Sequence, residues 1–346
     1  MGHIEFDQLL AEMVSADNLL IVQDLDGVCI PLVKDPLTRV LDPVYVWAAK
    51  KLEGNFSVLT NGEHGGHRGV NRLVETVLGT SHMPAKQGLY LPGLAAGGVQ
   101  LQNNFGEISH PGISQAEIAF LSVLPSRMQT LLEQRLPAIL PKLTSAEIEY
   151  QARVSIFDTE LSPTINLNSL FSLIPDNVNI QQALQITLQE LMDELINNAA
   201  NDGLTDSFFV HIAPNMGSDG VRERLKPASI GDVGTTDFQF LLKGAIKEAG
   251  LLVLINNHIA SKCGSAPLGE DFDVRSAPKT HQQLLDLCLN NIPAEQMPLL
   301  MGVGDTVTSN PCPDGTGWLR GGSDRGFLTL LQDLGKIYNH TNRVVQ

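Results

Sequence analysis

Two aspartates separated by one residue, Asp24 and Asp26, are the first candidates for chemistry in this sequence. They directly follow the apolar stretch Leu19–Val22, and Gly27 after them would let the chain turn and approach a ligand closely. In such a pair, one carboxylate can act as nucleophile and metal ligand while the other acts as general acid and base. A solvated Asp-x-Asp-Gly turn is the competing interpretation, and the motif alone does not decide between them.

Polar residues that follow two other apolar runs extend this set. Thr60 and Asn61 follow the run that starts at residue 56, and Asp305 follows the run that starts at residue 298. Lys279 opens the segment that leads into the latter run. A carboxylate pair, a hydroxyl with nearby backbone amides, a lysine and a third carboxylate could together hold Mg²⁺ and a phosphoryl group.

The elements that must position these residues can be recognised from hydrophobic pattern. The runs 18–24, 56–60 and 298–305 are apolar and become polar only at their ends, which is typical of buried parallel strands. Helix-like segments lie at 43–52 and 278–289, before the second and third runs. This alternation predicts the α/β class with a doubly wound parallel sheet, and such sheets bind ligands outside the carboxyl ends of their strands.

The middle of the chain has a different pattern. Helix-like stretches cover 117–140 and 180–199, and we expect the first to break near Pro125 and Pro137. Runs that alternate between apolar and polar residues at 148–156 and 207–212 predict strands with one face exposed to solvent. We therefore predict an α+β domain at 112–265, inserted into a catalytic core formed by 1–111 and 266–346.

Composition excludes several classes of function. The 346 residues include 23 Lys and Arg against 38 Asp and Glu, a formal net charge of -15, which disfavours nucleic acids and anionic membranes as partners. A hydrophobic fraction of 43% excludes a disordered chain. The cysteines form no close pair, the first residues lack a signal-peptide pattern, and runs such as Leu251–Ile255 are strand-sized and too short to span a bilayer. We expect a cytoplasmic protein.

The candidate segments, taken in order, resemble the four motifs of the haloacid-dehalogenase (HAD) superfamily of phosphohydrolases. The resemblance covers about residues 18–110 and 265–335, and the insertion resembles a type C2 cap that would set substrate specificity. The run 272–284 resembles the third motif of the sucrose-phosphatase group. With Thr60–Arg68 and Gly302–Pro311, the layout looks closest to the cyanobacterial glucosylglycerol-phosphate phosphatases.

This resemblance implies a role for each motif residue. Asp24 would be the nucleophile and Asp26 the general acid and base. It implies phosphoryl-binding groups at Thr60, the amide of Asn61 and Lys279, and Mg²⁺ held by the carboxylates of Asp24 and Asp305 and the backbone carbonyl of Asp26. Lys243 is a rival for the lysine position, but Lys279 is favoured because it opens the helix that leads directly into the third strand.

The sequence departs from the superfamily pattern after the fourth motif. Members of this type commonly carry a second acid four or five residues after the Asp equivalent to Asp305, where this chain has Ser309 and Asn310. Their oxygens could still bind a metal or support a turn. The Gly-rich segment that follows contains Asp314 and Asp324, and we interpret it as a flexible surface loop rather than a ligand contact.

The implied reaction is Mg²⁺-dependent hydrolysis of glucosylglycerol 3-phosphate to the compatible solute glucosylglycerol, with a role in salt tolerance. Substrate contacts are expected from polar residues near the motifs: Glu63, His64, Glu270 and Asn310. The synthase that makes the glycosyl phosphate is a candidate partner. Alternatives are a phosphatase of another sugar phosphate such as sucrose phosphate, a metal-dependent glycosyltransferase using the two aspartates, and a binder of sugar phosphates without turnover.

Overall fold

The computed structural model describes residues 6–33, 36–175, 177–218, 222–311 and 318–346, and the chain divides into two compact units. The first unit comprises Met1–Gly112 and Gly244–Gln346, and the second comprises Ile113–Lys243. The second unit ends well before residue 265, the predicted end of the inserted domain. In the described part of the chain, no helix is long and apolar enough to cross a membrane.

Regular elements are numbered in chain order. The α-helices are α1 Phe6–Ser15, α2 Pro43–Lys51, α3 Val70–Leu78, α4 His82–Gln87, α5 Gln115–Ile139, α6 Ser145–Ser155, α7 Asn168–Leu173, α8 Val178–Asn201, α9 Lys247–Cys263, α10 His281–Asn291 and α11 Arg325–Tyr338. The strands are β1 Leu19–Gln23, β2 Phe56–Leu59, β3 Gly93–Ala95, β4 Gln100–Gln102, β5 Ile108–Ser109, β6 Ile156–Phe157, β7 Thr164–Asn166, β8 Phe208–Ala213, β9 Asn215–Ser218, β10 Glu223–Leu225, β11 Asp237–Leu242, β12 Leu299–Val303, β13 Thr308–Pro311, β14 Trp318–Gly321 and β15 Arg343–Val345. Short 3₁₀ turns lie at Pro36–Thr38 and Ala96–Gly98.

The first unit is built on a seven-stranded sheet of order β15-β12-β1-β2-β3-β4-β5. The neighbouring pairs from β15 to β3 are parallel, whereas β4 and β5 add an antiparallel edge. The three apolar runs recognised in the sequence are β1, β2 and β12, and β1 lies between the other two. The predicted α/β class with a parallel-sheet core is therefore confirmed.

Helices cover both faces of this sheet because the strands are apolar on both sides. Leu19 and Ile21 of β1 belong to a buried cluster that includes residues of α2 and α3. On β12, a Cβ built on Gly302 would lie 2.7 Å from Leu328 of α11, so glycine permits that helix to approach closely. On α9, a Cβ at Gly250 would lie 2.7 Å from Leu59 of β2. This packing places residues 244–265 in the first unit, which corrects the predicted boundary.

The second unit contains a four-stranded antiparallel sheet of order β6-β7-β11-β8, with helices α5 to α8 and the hairpin β9–β10. Phe208 of β8 and Phe240 of β11 pack together with ring centroids 5.0 Å apart. Phe120 of α5 stacks on the same pair, at 5.3 Å from Phe208 and 6.0 Å from Phe240. This unit is of the predicted α+β type.

Two details of the second unit differ from the sequence prediction. Residues 145–155 form α6 rather than a strand, because Thr144 and Glu147 exchange the hydrogen bonds of a capping box that starts a helix. Helix α5 continues through Pro125 and Pro137. Its buried face, which includes Phe120, holds it against the rest of the unit, and this tertiary packing outweighs the local cost of each proline.

A buried polar network around His64 ties the segment after β2 to β4. The His64 ring has no solvent exposure; its Nε2 lies 3.1 Å from the Gly93 carbonyl oxygen, and its Nδ1 lies 3.3 Å from Nε2 of Gln102. The backbone N–H of His64 donates to Oε1 of Gln100 at 2.6 Å. Since the carbonyl oxygen can only accept, Nε2 carries the ring proton and the imidazole is neutral. Burial lowers the pKa of His64 to about 4.

This network predicts a loss of stability in mild acid. Between the ordinary histidine pKa near 6.5 and the folded value of about 4, the unfolded chain binds a proton that the folded chain does not. His64 should therefore lower the free energy of unfolding by up to about 1.4 kcal/mol for each pH unit below about 6.5, levelling off near pH 4. Urea unfolding from pH 7 to 4.5 measures this slope. His64→Gln should show a flatter dependence; equal slopes would contradict the assignment.

Candidate active site

Three strand ends of the first unit place the predicted site residues at one edge of the sheet. Strand β1 is in parallel register with both β2 and β12, so the carboxyl ends of the three strands lie side by side. Asp24 follows β1, Thr60 follows β2, and Asp305 follows β12 after Gly304. The edge is the one at which parallel α/β sheets bind ligands.

Asp24 is the most deeply buried carboxylate that follows a strand of this sheet. Its side chain is 7% exposed, and Oδ2 lies 3.0 Å from Nζ of Lys247. The other oxygen, Oδ1, is buried and has no hydrogen-bond partner among the residues that the structure describes. Burial raises the pKa of Asp24 to about 6; the Lys247 ammonium opposes this shift, and the nearby Asp324 carboxylate adds to it. An unpartnered buried carboxylate oxygen is costly unless a cation or a ligand faces it.

Lys247 is the lysine at this site. It begins α9, is 3% exposed, and places Nζ 3.0 Å from Asp24 and 2.6 Å from Oδ1 of Asp324. A lysine buried this deeply is stable only when carboxylates pair with it. The structure therefore corrects the predicted choice of Lys279. Lys243, the rival considered, belongs to the second unit and forms an exposed ion pair with Asp206.

Lys279 has a structural role within the first unit. Its Nζ donates to the carbonyl oxygens of Val274 at 2.8 Å and Arg275 at 2.9 Å, which closes the loop 273–279 on itself. Nη1 of Arg275 donates to the carbonyl oxygen of Gly112 at 2.8 Å, and a Cβ built on Gly244 would lie 2.8 Å from Nζ of Lys279. One loop thus contacts both residues at which the chain leaves and re-enters the first unit.

Asp324 is a site residue that sequence reasoning missed. Its side chain has no solvent exposure, and Oδ2 accepts hydrogen bonds from the backbone N–H groups of Asp305 and Thr306, both at 3.1 Å. It therefore connects the start of α11 to the end of β12. The interpretation of its segment as a surface loop is wrong at this residue. The one signal available was an acid directly before the apolar periodicity of α11.

Three carboxylates converge here. Asp24, Asp305 and Asp324 each offer an oxygen, and these oxygens lie within 4.8 Å of one another. Gly27, at a φ of +83°, makes this possible, because a Cβ there would lie 1.9 Å from Oδ2 of Asp305. The acid that was predicted to be missing near Ser309 is thus supplied from farther along the chain.

Asp26, the residue directly before Gly27, forms an ion pair with Arg39. Its two oxygens accept hydrogen bonds from Nη1 of Arg39 at 3.1 and 3.0 Å. A Cβ built on Gly62 would lie 3.6 Å from Oδ2 of Asp26, from Oγ1 of Thr60 and from Nη1 of Arg39. The predicted residues Asp26 and Thr60 are therefore brought together around the turn that contains Asn61.

The residues predicted to contact the substrate do not form one group in the structure. The buried ring of His64 has both nitrogens occupied within the core, which contradicts a role in sugar binding. Glu63 is also buried. Glu270 is exposed on a loop beside Asn256, which lies about 13 Å along α9 from Lys247 by helical rise. The backbone of Asn310 is in β13, and its side chain lies outside the described residues.

Comparison with known proteins identifies the family of the chain. The family model for glucosylglycerol-phosphate phosphatase matches residues 18–346. Glucosylglycerol-phosphate phosphatase of Synechocystis sp. (strain ATCC 27184 / PCC 6803 / Kazusa) is 48% identical over 347 residues, covering 100% of this chain and 81% of that protein.

Solved structures give a more distant likeness. The C-terminal domain of C. albicans trehalose-6-phosphate phosphatase is 12% identical with a TM-score of 0.45, over 98% of this chain and 82% of that one. A haloacid dehalogenase-like hydrolase from B. subtilis is 12% identical with a TM-score of 0.31, over 94% of this chain and 93% of that one. Because the family model matches residues 18–346 and the Synechocystis protein is 48% identical over the whole of this chain, the chain belongs to the glucosylglycerol-phosphate phosphatase family.

Proposed function

We propose that this phosphatase hydrolyses glucosylglycerol 3-phosphate to glucosylglycerol and inorganic phosphate, through an aspartyl-phosphate on Asp24 and with Mg²⁺ bound. The observation that carries the mechanism is the buried, unpartnered Oδ1 of Asp24 beside two further carboxylates and the ammonium of Lys247. The choice of substrate is supported by the name of the Synechocystis relative.

The acidic cluster fits Mg²⁺. Hard oxygen ligands are those this ion prefers, and Asp24, Asp305 and Asp324 would hold it, with the backbone carbonyl of Asp26 as a further predicted ligand. A cation would also satisfy Oδ1 of Asp24, the orphaned atom. When bound, Mg²⁺ supplies positive charge that offsets the repulsion between carboxylates and a phosphate dianion.

In the first half of the reaction, a carboxylate oxygen of Asp24 bonds to phosphorus while the bond from phosphorus to the substrate oxygen breaks. Asp26 gives its proton to that leaving oxygen and becomes a carboxylate. In this proposal, Thr60, the amide of Asn61 and the ammonium of Lys247 would hold the phosphoryl oxygens as charge moves onto them. Lys247 also keeps Asp24 ionised against the effect of burial.

The second half returns both aspartates to their starting states. Asp26 takes a proton from a water molecule as the water oxygen bonds to phosphorus. The bond from phosphorus to Asp24 breaks, which releases inorganic phosphate and restores the Asp24 carboxylate. Asp26 is then protonated again and ready for the next substrate.

The inserted unit and the cellular role complete the proposal. The unit 113–243 would act as a cap that selects a small glycosyl phosphate and excludes bulk water during the reaction. The neutral product suits accumulation as a compatible solute under salt stress, in the cytoplasm. Association with the synthase that supplies the glycosyl phosphate remains a prediction.

The proposal is tested by release of inorganic phosphate from glucosylglycerol 3-phosphate and sucrose phosphate, and by release of nucleoside diphosphate from a nucleotide sugar, each with Mg²⁺ and with EDTA. We expect the highest kcat/KM with glucosylglycerol 3-phosphate and near-complete loss with EDTA. Faster hydrolysis of sucrose phosphate would contradict the proposed substrate. Full activity in EDTA would contradict the proposed requirement for Mg²⁺. Turnover of the nucleotide sugar alone would favour a glycosyltransferase, and no turnover at all a binding protein.

Substitution of the two aspartates separates their roles. Asp24→Asn should abolish turnover, because an amide of nearly the same shape is a poor nucleophile. Asp26→Ala should lower kcat about 10²- to 10⁴-fold, the range for loss of a general acid and base. Rapid-quench assays with ³²P-labelled substrate should detect labelled protein in Asp26→Ala and none in Asp24→Asn. Wild-type turnover by Asp24→Asn is incompatible with the mechanism.

The two lysines give a matched pair of variants. Lys247→Met should lower kcat/KM at least 10²-fold, since one preorganised donor to the phosphoryl group is lost. Lys279→Met should stay within about threefold of the wild type, because that ammonium serves backbone carbonyls. Circular dichroism at the assay temperature checks that both variants are folded. A larger loss of kcat/KM in Lys279→Met than in Lys247→Met would instead support Lys279 as the phosphate-binding lysine.

A further inference from the structure

Arg39 is a second cation at the site, and it reaches Asp26 from a separate segment. Nη1 lies 3.0 Å from Oδ2 and 3.1 Å from Oδ1 of Asp26, while Nη2 donates to the carbonyl oxygen of Arg68. The Arg39 side chain is 9% exposed and that of Asp26 is 32% exposed. The arginine thus lies beneath the aspartate, which keeps part of its surface open for a ligand.

We infer that Arg39 is a positioning residue that fixes the Asp26 carboxyl for proton transfer. The inference rests on the proposed function, because it assigns Arg39 a role only through the acid and base at Asp26. It adds a residue from the segment after β1 that no motif of the sequence marks.

The geometry explains how one guanidinium fixes the carboxyl group. A planar guanidinium offers several donors in a fixed arrangement, so its contacts with both carboxylate oxygens and with a carbonyl leave it few orientations. Arg68 lies on the turn after β2, the same turn that carries Thr60. Arg39 therefore sets the position of Asp26 relative to the phosphoryl-binding turn, and Gly62 between them leaves room for all three groups.

The charges at the site are divided between two cations. Lys247 contacts Asp24 and Asp324, whereas Arg39 contacts Asp26. Each aspartate of the pair thus has its own cation. Without Arg39, both oxygens of Asp26 would lose this partner, and the side chain could turn away from the reacting oxygen. Preorganisation of a reacting group within about an ångström is worth large factors in rate.

A double-mutant cycle tests this inference. The variants are Arg39→Ala, Asp26→Ala and the two combined, assayed with the sugar phosphate that the wild type hydrolyses fastest. Arg39→Ala should lower kcat about 10- to 100-fold, as loss of an orienting partner does elsewhere, with KM within about threefold. In the Asp26→Ala background, Arg39→Ala should change kcat by less than about twofold, because its effect passes through the missing carboxyl.

Controls separate positioning from folding. Arg39→Lys keeps the charge without the fork and should recover part of the kcat lost in Arg39→Ala, and it replaces that variant in the cycle if Arg39→Ala does not fold. Arg72 donates through Nη2 to the carbonyl oxygen of Leu37 in the same segment, so Arg72→Lys tests disturbance of the segment alone and should keep wild-type kcat.

The outcomes are distinct. If Arg39→Ala has the same effect with and without Asp26, Arg39 acts on the substrate directly and the inference fails. A rise in KM with unchanged kcat in Arg39→Ala would also indicate direct substrate binding by Arg39, and the inference would fail. If Asp26→Ala alone keeps the wild-type kcat, the acid and base role in the proposed function fails, whatever Arg39 does.

Discussion

The candidate active-site edge depends on one buried ammonium, that of Lys247, held between the carboxylates of Asp24 and Asp324. These residues come from the start of α9, the end of β1 and the start of α11, so one cation ties three distant segments together. Desolvating an ammonium costs several kcal/mol, and two carboxylates at 2.6 and 3.0 Å offset that cost. Removing one member of such a group leaves an uncompensated buried charge, which costs about 3–5 kcal/mol.

The same arrangement explains how a strongly acidic chain can accept an anionic substrate. With 38 acidic and 23 basic residues, the protein repels phosphate at long range. At the site, the cations Lys247 and Arg39 are already paired with carboxylates, so we expect a bound Mg²⁺ to supply the further positive charge that a phosphate dianion needs. Net charge therefore bears on long-range encounter with anions, whereas the fixed groups at the site bear on the local interaction.

The sequence was sufficient to predict the parallel strands and the residues directly after them. Asp24, Thr60 and Asp305 follow buried apolar runs, and parallel strands bring their carboxyl ends together. Lys247 escaped prediction because α9 is buried on most sides, so its run Leu251–Ile255 shows no amphipathic period and has the length of a strand.

The other errors also arose where long-range contacts decide the outcome. Asp324 follows a Gly-rich stretch that indicates a loop, and its burial depends on the backbone after β12, nearly twenty residues earlier. His64 lies in a polar cluster that favours a ligand site, yet its partners Gln100 and Gln102 are 36 and 38 residues away. In α6, the capping box outweighed an alternating pattern that favoured a strand.

The position of the loop 273–279 bears on how the inserted segment could be altered in evolution. Gly112 and Gly244 mark the two crossings between units, and both lie against that loop, Gly112 beside Asp273 and Gly244 beside Arg275. The two ends of the insertion are thus anchored near each other on the surface of one folded body. A segment with neighbouring ends can be lengthened, shortened or exchanged without re-threading the body that carries it. The first unit could therefore carry different inserted domains between the same two residues.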